Sequence, residues 1–129
     1  MHDFVGNVWV QASDTINGLD YYDRFGHDVD ISDYGTRIVA GAFTSDGQDL
    51  NSTMDIGQAT VFHQEDTSIT AGWRQIGPIT NGEQKSDKLG SSVTISGDGN
   101  VAAVGAPDND YGGTSAGEVE MYQYIQAKK

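Results

Sequence analysis

The chain repeats itself at an offset of 64 residues, and a repeat of that length restricts it to stacked copies of one supersecondary unit. Trp9, Gln11, Asn17-Gly18, Asp23 and Gly26 return as Trp73, Gln75, Asn81-Gly82, Asp87 and Gly90. Val29-x-Ile31-Ser32, Gly35 and Gly41-Ala42 return as Val93-x-Ile95-Ser96, Gly99 and Gly105-Ala106. A unit this short cannot cover its own apolar face, so each copy needs a neighbour.

Within each unit, short apolar/polar alternations are separated by Gly, Asp, Asn and Ser clusters, and no window holds helical periodicity. The chain is therefore predicted to be all-β. Val93 and Ile95 alternate with Ser92, Thr94 and Ser96, and Gly97-Asp98-Gly99-Asn100 turns the chain into a strand over residues 101–106. Gly and Asn tolerate the positive φ that such a turn needs. After a loop over residues 108–115, a third strand is expected over 118–122. The first unit follows with strands over 29–32, 38–42 and 58–62, and adds a fourth over 73–76.

Four strands per unit is the make-up of a β-propeller blade. One repeat domain over residues 1–129 is expected, with a first blade over about 23–77 and a second over about 87–126. The second unit has no fourth strand of its own. Residues 8–11 (Val8, Trp9, Val10 and Gln11) stand where the fourth strand of the other unit begins, and are expected to serve as an assembly strand that completes a blade. Propellers use roughly four to eight blades, so two cannot close a ring. The expected outcomes are self-assembly, for instance three chains giving six blades, or further blades in a longer protein.

Seven Lys and Arg against nineteen Asp and Glu leave a formal charge of −12, which repels phosphate backbones and argues against a nucleic-acid partner. Without cysteine there is no disulfide framework, thiolate metal site or cysteine nucleophile. No apolar run approaches the ~20 residues of a membrane span, and the opening Met1-His2-Asp3-Phe4 lacks the basic and apolar stretches of a signal peptide. His2, His27 and His63 lie far apart, no Gly-x-Ser-x-Gly elbow occurs, and the acids single out no catalytic pair. A non-catalytic protein is expected.

The loops after the second strands are rich in oxygen, and Asp46, Asp49, Asp108 and Asp110 are the candidate ligands for a calcium ion. The competing reading makes them turn residues bonded to their own backbone. Asp28 and Asp30 fall on one face of a strand and read as solvated surface. Trp9 and Trp73, at equivalent points of the repeat, read as packing between blades, and Phe25 and Leu89 as core. Tyr21 and Tyr22 have no counterpart in the second unit. With Tyr34 and Tyr111 at turn positions, they are the candidates for a contact surface.

The stretches Asp23-Arg24-Phe25-Gly26-His27-Asp28-Val29-Asp30-Ile31-Ser32 and Leu89-Gly90-Ser91-Ser92-Val93-Thr94-Ile95-Ser96 are each followed by Gly-Ala. With Gly97-Asp98-Gly99, Val104-Gly105-Ala106-Pro107, Asn109-Asp110, Ala116-Gly117 and Trp73-x-Gln75, they resemble FG-GAP repeats, in particular the non-integrin variety. Such repeats form the β-propeller of integrin α-subunits and of many secreted or surface proteins. The resemblance implies an extracellular or cell-surface setting and a protein or glycan ligand. A carbohydrate-binding, lectin-like propeller and a fragment of a larger receptor or enzyme are the alternatives. Integrin-type repeats often hold calcium in an Asp-x-Asp-x-Asp-Gly-x-x-Asp loop, whose last Asp position falls here on Arg37 and Val101. The turns Ser32-Asp33-Tyr34-Gly35 and Ser96-Gly97-Asp98-Gly99 are also too short for that loop. Phe43 replaces the Pro expected after Gly41-Ala42.

Overall fold

A computed structural model describes residues 7–11, 14–18, 22–45, 55–65, 72–82 and 86–126. Two antiparallel sheets account for all regular structure among them, and no helix occurs. The first sheet is β1 (Val29–Ile31), β2 (Arg37–Ala42), β3 (Gln58–His63) and β4 (Arg74–Asn81), in that order. The second is β5 (Ser92–Ile95), β6 (Val101–Ala106) and β7 (Glu118–Gln123). Residues 7–11 join neither sheet, and Val8, Trp9 and Val10 are exposed.

Apart from residues 8–11, which were expected as a strand and form none within the chain, the strands fall where alternation places them, with one difference. β4 runs on to Asn81, past Gly77 and Pro78. Between Ala59 and Val61 of β3 the pairing partner moves from Thr80 to Ile76, which makes a bulge on β4. An edge strand accommodates a bulge and a Pro, because its outer side has no ladder to lose.

The repeat extends to the backbone. Arg24 and Lys88 share φ near +60° (59° and 56°), Gly26 and Gly90 lie at 89° and 95°, and Gly57 and Gly117 at 83° and 84°. The last pair is offset by 60 residues because the β6–β7 connection is shorter than the β2–β3 connection. Matching turn bonds recur, including Ser32 N–H to the Arg37 carbonyl and Ser96 N–H to the Val101 carbonyl.

The core lies between the two sheets. Strand alternation turns Val39, Ala59 and Val61 of the first sheet toward the second, where they meet Leu89, Val93, Ile95, Val104 and Ala106. Leu89 and Val39 are each 1% exposed, and burying such a side chain contributes about 1.5–3 kcal/mol. The segment around Leu89 enters the first sheet backbone-first. Gly57 forms a parallel bridge to Leu89, and a Cβ on Gly57 would stand 2.1 Å from both the Leu89 N and O atoms. A Cβ on Gly41 would stand 2.1 Å from the Gly90 carbonyl oxygen. Only glycine permits that approach.

Gly57→Ala is therefore expected to cost at least about 2 kcal/mol, from its positive φ and the backbone clash together. Gly77→Ala, at φ +74° with open space around it, is expected to cost about 1 kcal/mol, from φ alone. Urea denaturation of the two variants measures the difference. Equal losses would contradict the close-approach account.

Candidate functional site

The second core-building contact is polar and joins the sheets along their inner edges. β1 pairs with β2 on one side only, so its other edge presents the N–H groups of Val29 and Ile31. Beside it runs β5, with the N–H groups of Val93 and Ile95 at its free edge. Two carboxylates occupy the gap. Asp28 Oδ1 accepts from Val29 N–H at 3.1 Å, and its Oδ2 accepts from Val93 N–H at 2.9 Å. Asp30 repeats the arrangement, accepting from Ile31 N–H at 2.9 Å and from Ile95 N–H at 2.8 Å. The Thr94 hydroxyl donates to Asp30 as well, at 2.9 Å. Charge-assisted bonds of this kind are about twice as strong as neutral ones, and here they saturate two edges that would otherwise invite other strands.

Asp28 and Asp30 are thus not the solvated surface that alternation alone suggests. They do share a face, but that face looks at a neighbouring strand. The Ile95 N–H and the Thr94 hydroxyl hold the Asp30 carboxyl below its ordinary range, because both bonds favour the charged form.

Arg37 fastens the other end of the joint. Its Nη1 donates to the Gly99 carbonyl at 2.9 Å and to Asn100 Oδ1 at 2.8 Å, and its Nε donates to His63 Nδ1 at 3.3 Å. The guanidinium also lies 4.2 Å from the centre of the Tyr124 ring. A fixed cation here makes bonds that tie one repeat to the next.

Asp46, Asp49 and Tyr21 lie outside the described residues. Asp108 pairs with Lys88 at 3.1 Å, and Asp110 accepts from the Ser115 N–H at 2.6 Å, which is the work of a loop carboxylate on its own backbone. Among the described residues, no group of three His, Cys, Asp or Glu could hold a metal ion. Tyr22, Tyr34 and Tyr111 are 87%, 81% and 85% exposed. Tyr22 and Tyr111 lie at the end of the sheets where the chain enters β1 and leaves β6, whereas Tyr34 lies in the β1–β2 turn at the opposite end. Trp9 is fully exposed; Trp73 is half-buried at the rim of an open cavity of about 560 Å³ on the outer face of the first sheet.

The joint residues leave a trace in the sequence. At the repeat offset Asp28, Asp30 and Arg37 become Ser92, Thr94 and Val101, so these three charged positions are not repeated in the second unit.

Residues 73–122 match the family model described as FG-GAP repeat. The second repeat belongs to the FG-GAP repeat family. The matched segment takes β4 from the first sheet and β5 to β7 from the second. The FG-GAP unit thus opens on Trp73, the residue whose image is Trp9. FG-GAP repeats are typical of extracellular or surface proteins, and no helix among the described residues is long and apolar enough to cross a membrane. No curated protein matches the chain.

Because the Asp30 carboxyl is held below its ordinary value of 3.8, its stabilisation is present above that value and is lost as the pH falls through the lowered one. Asp30→Asn, which keeps one acceptor and turns the other into a donor, is expected to cost about 1 kcal/mol at neutral pH, allowing for solvent screening. It should also flatten the acid side of the stability curve. Denaturation from pH 2 to 7 checks both, and a variant with the wild-type acid limb would remove Asp30 from the joint.

Proposed function

We propose that this chain is a non-catalytic binding and assembly module of an extracellular or cell-surface protein, built as part of a β-propeller and joined to its neighbours by strand addition. The observation that carries this reading is the mismatch between the two sheets. The second has three strands, while residues 8–11 are exposed and match the residues that open β4. In the first sheet His63 pairs with Arg74 and Phe62 with Gln75. The same pairing carried to the second sheet sets Val10 opposite Gln123 and Gln11 opposite Tyr122, on the outer edge of β7. Within one chain that edge has no strand neighbour among the described residues. Strand addition supplies affinity through the backbone, which suits a segment as short as residues 8–11.

Replacing both Val10 and Gln11 with Pro removes two backbone donors, one of which faces the partner strand in any antiparallel register. The double variant is expected to lower the solution mass, read by light scattering, toward the 13.8 kDa of one chain. An unchanged mass would count against strand addition.

Exposed Tyr22 and Tyr111 at one end of the sheets favour a second reading, in which that end binds a glycan by stacking on aromatic rings. A glycan-array signal that disappears in the Tyr22→Ala/Tyr111→Ala variant would support it, and no signal from the wild-type chain would dismiss it.

A further inference from the structure

The joint between the two sheets has two unlike sides, and the repeat projects each of them onto an opposite end of the molecule. One side is Val39, Ala59 and Val61, whose images on the second sheet are Ala103, Val119 and Met121. Val119 and Met121 are 71% and 70% exposed. The other side is Leu89, Val93, Ile95 and Val104, whose images on the first sheet are Phe25, Val29, Ile31 and Ala40. Those four residues line the open cavity of about 560 Å³, with Val29 56% and Ile31 51% exposed.

The close backbone approach divides in the same way. Gly90, seated inside the chain against Gln58 and Ala42, corresponds to Gly26, which has nothing within 4 Å of a Cβ position. Gly41 and Gly57, which receive that segment, correspond to Gly105 and Gly117, whose nearest atoms belong to Ser92 and Pro107 of the same unit. Among the described residues, the outer face of each sheet is therefore an unfilled half of the contact made once between the two sheets.

We infer that these halves bind one another between two copies of this chain. The Phe25-Gly26 segment, Val29, Ile31 and Ala40 of one copy pack against Ala103, Val119, Met121 and Gly117 of the next. Charge supports a second copy as the occupant. The residues on the presenting face that would lie beside the next copy's Asp28 and Asp30 are Ser92 and Thr94. Carboxylates at those two positions would gather four acids in one contact, in a chain already at −12. The contact is heterologous, so it closes a ring or continues as a fibre according to its rotation. The inference rests on the assembly reading above and adds to strand addition a face-to-face contact of named side chains.

The test uses the full chain in three forms: wild type, Ile31→Glu and Met121→Glu. Both positions are more than half exposed, so folding is expected to survive, and circular dichroism checks it. A second pair, Val29→Lys and Val119→Lys, replaces either variant that fails to fold. Wild type is expected as a multiple of 13.8 kDa, and each variant as a single chain of that mass. A buried unpaired charge weakens such a contact by roughly a hundredfold or more. An equimolar mixture of the two variants is expected to give a one-to-one complex of twice that mass, because each retains the half that the other has lost. Variants that keep the wild-type mass, or a mixture that stays monomeric, would overturn the inference. If the Val10→Pro/Gln11→Pro variant dissociates while these do not, strand addition stands and the face contact falls. A monomeric wild type would remove both.

Discussion

Two aspartates set between a pair of sheet edges are the contact on which this molecule most depends. Strands β1 and β5 each expose backbone N–H groups on their free side, and the parallel run of the two edges brings Val29 and Ile31 level with Val93 and Ile95. Direct strand pairing would merge the sheets into one flat ribbon and leave both apolar faces uncovered. A carboxylate shared across the gap satisfies the same donors while letting the sheets turn their faces together. The apolar packing of Leu89, Val93 and Ile95 on Val39 and Ala59 then fills the space that this separation creates.

The joint is directional because the repeats are unequal where charge is concerned. Asp28, Asp30 and Arg37 all belong to the first unit and reach into the second, whereas Ser92, Thr94 and Val101 occupy the same places one unit later. The backbone is copied closely, down to the paired positive φ values at Gly26 and Gly90. Charged groups of the first unit thus fix it to the second, and the second unit carries small neutral residues at the same places. Arg37 binds carbonyl and amide oxygens of the next turn and a tyrosine ring.

Much of this architecture was legible in the residues. Val93 and Ile95 alternating with Ser and Thr marked β5, and Gly97-Asp98-Gly99-Asn100 marked its turn into β6, because few residues accept the φ of Gly99. The reach of β4 was not legible, since Gly77-Pro78 signals an ending and only its place at a sheet edge makes continuation possible. Alternation placed Asp28 and Asp30 on one face correctly, yet it does not say what lies opposite that face. Their role depends on Val93 and Ile95, about 65 residues away. The tyrosines show the same limit: exposure was readable, but Tyr34 sits at the opposite end of the sheets from Tyr22 and Tyr111.

The most direct measurement of the central claim is amide hydrogen exchange at Val93 and Ile95, whose N–H groups donate to the Asp28 and Asp30 carboxylates across the gap. The account requires both amides to exchange as slowly as those of the central strand β6 when the carboxylates are ionised. Exchange at the rate of a solvent-facing edge strand would mean that the aspartates do not hold the two sheets together.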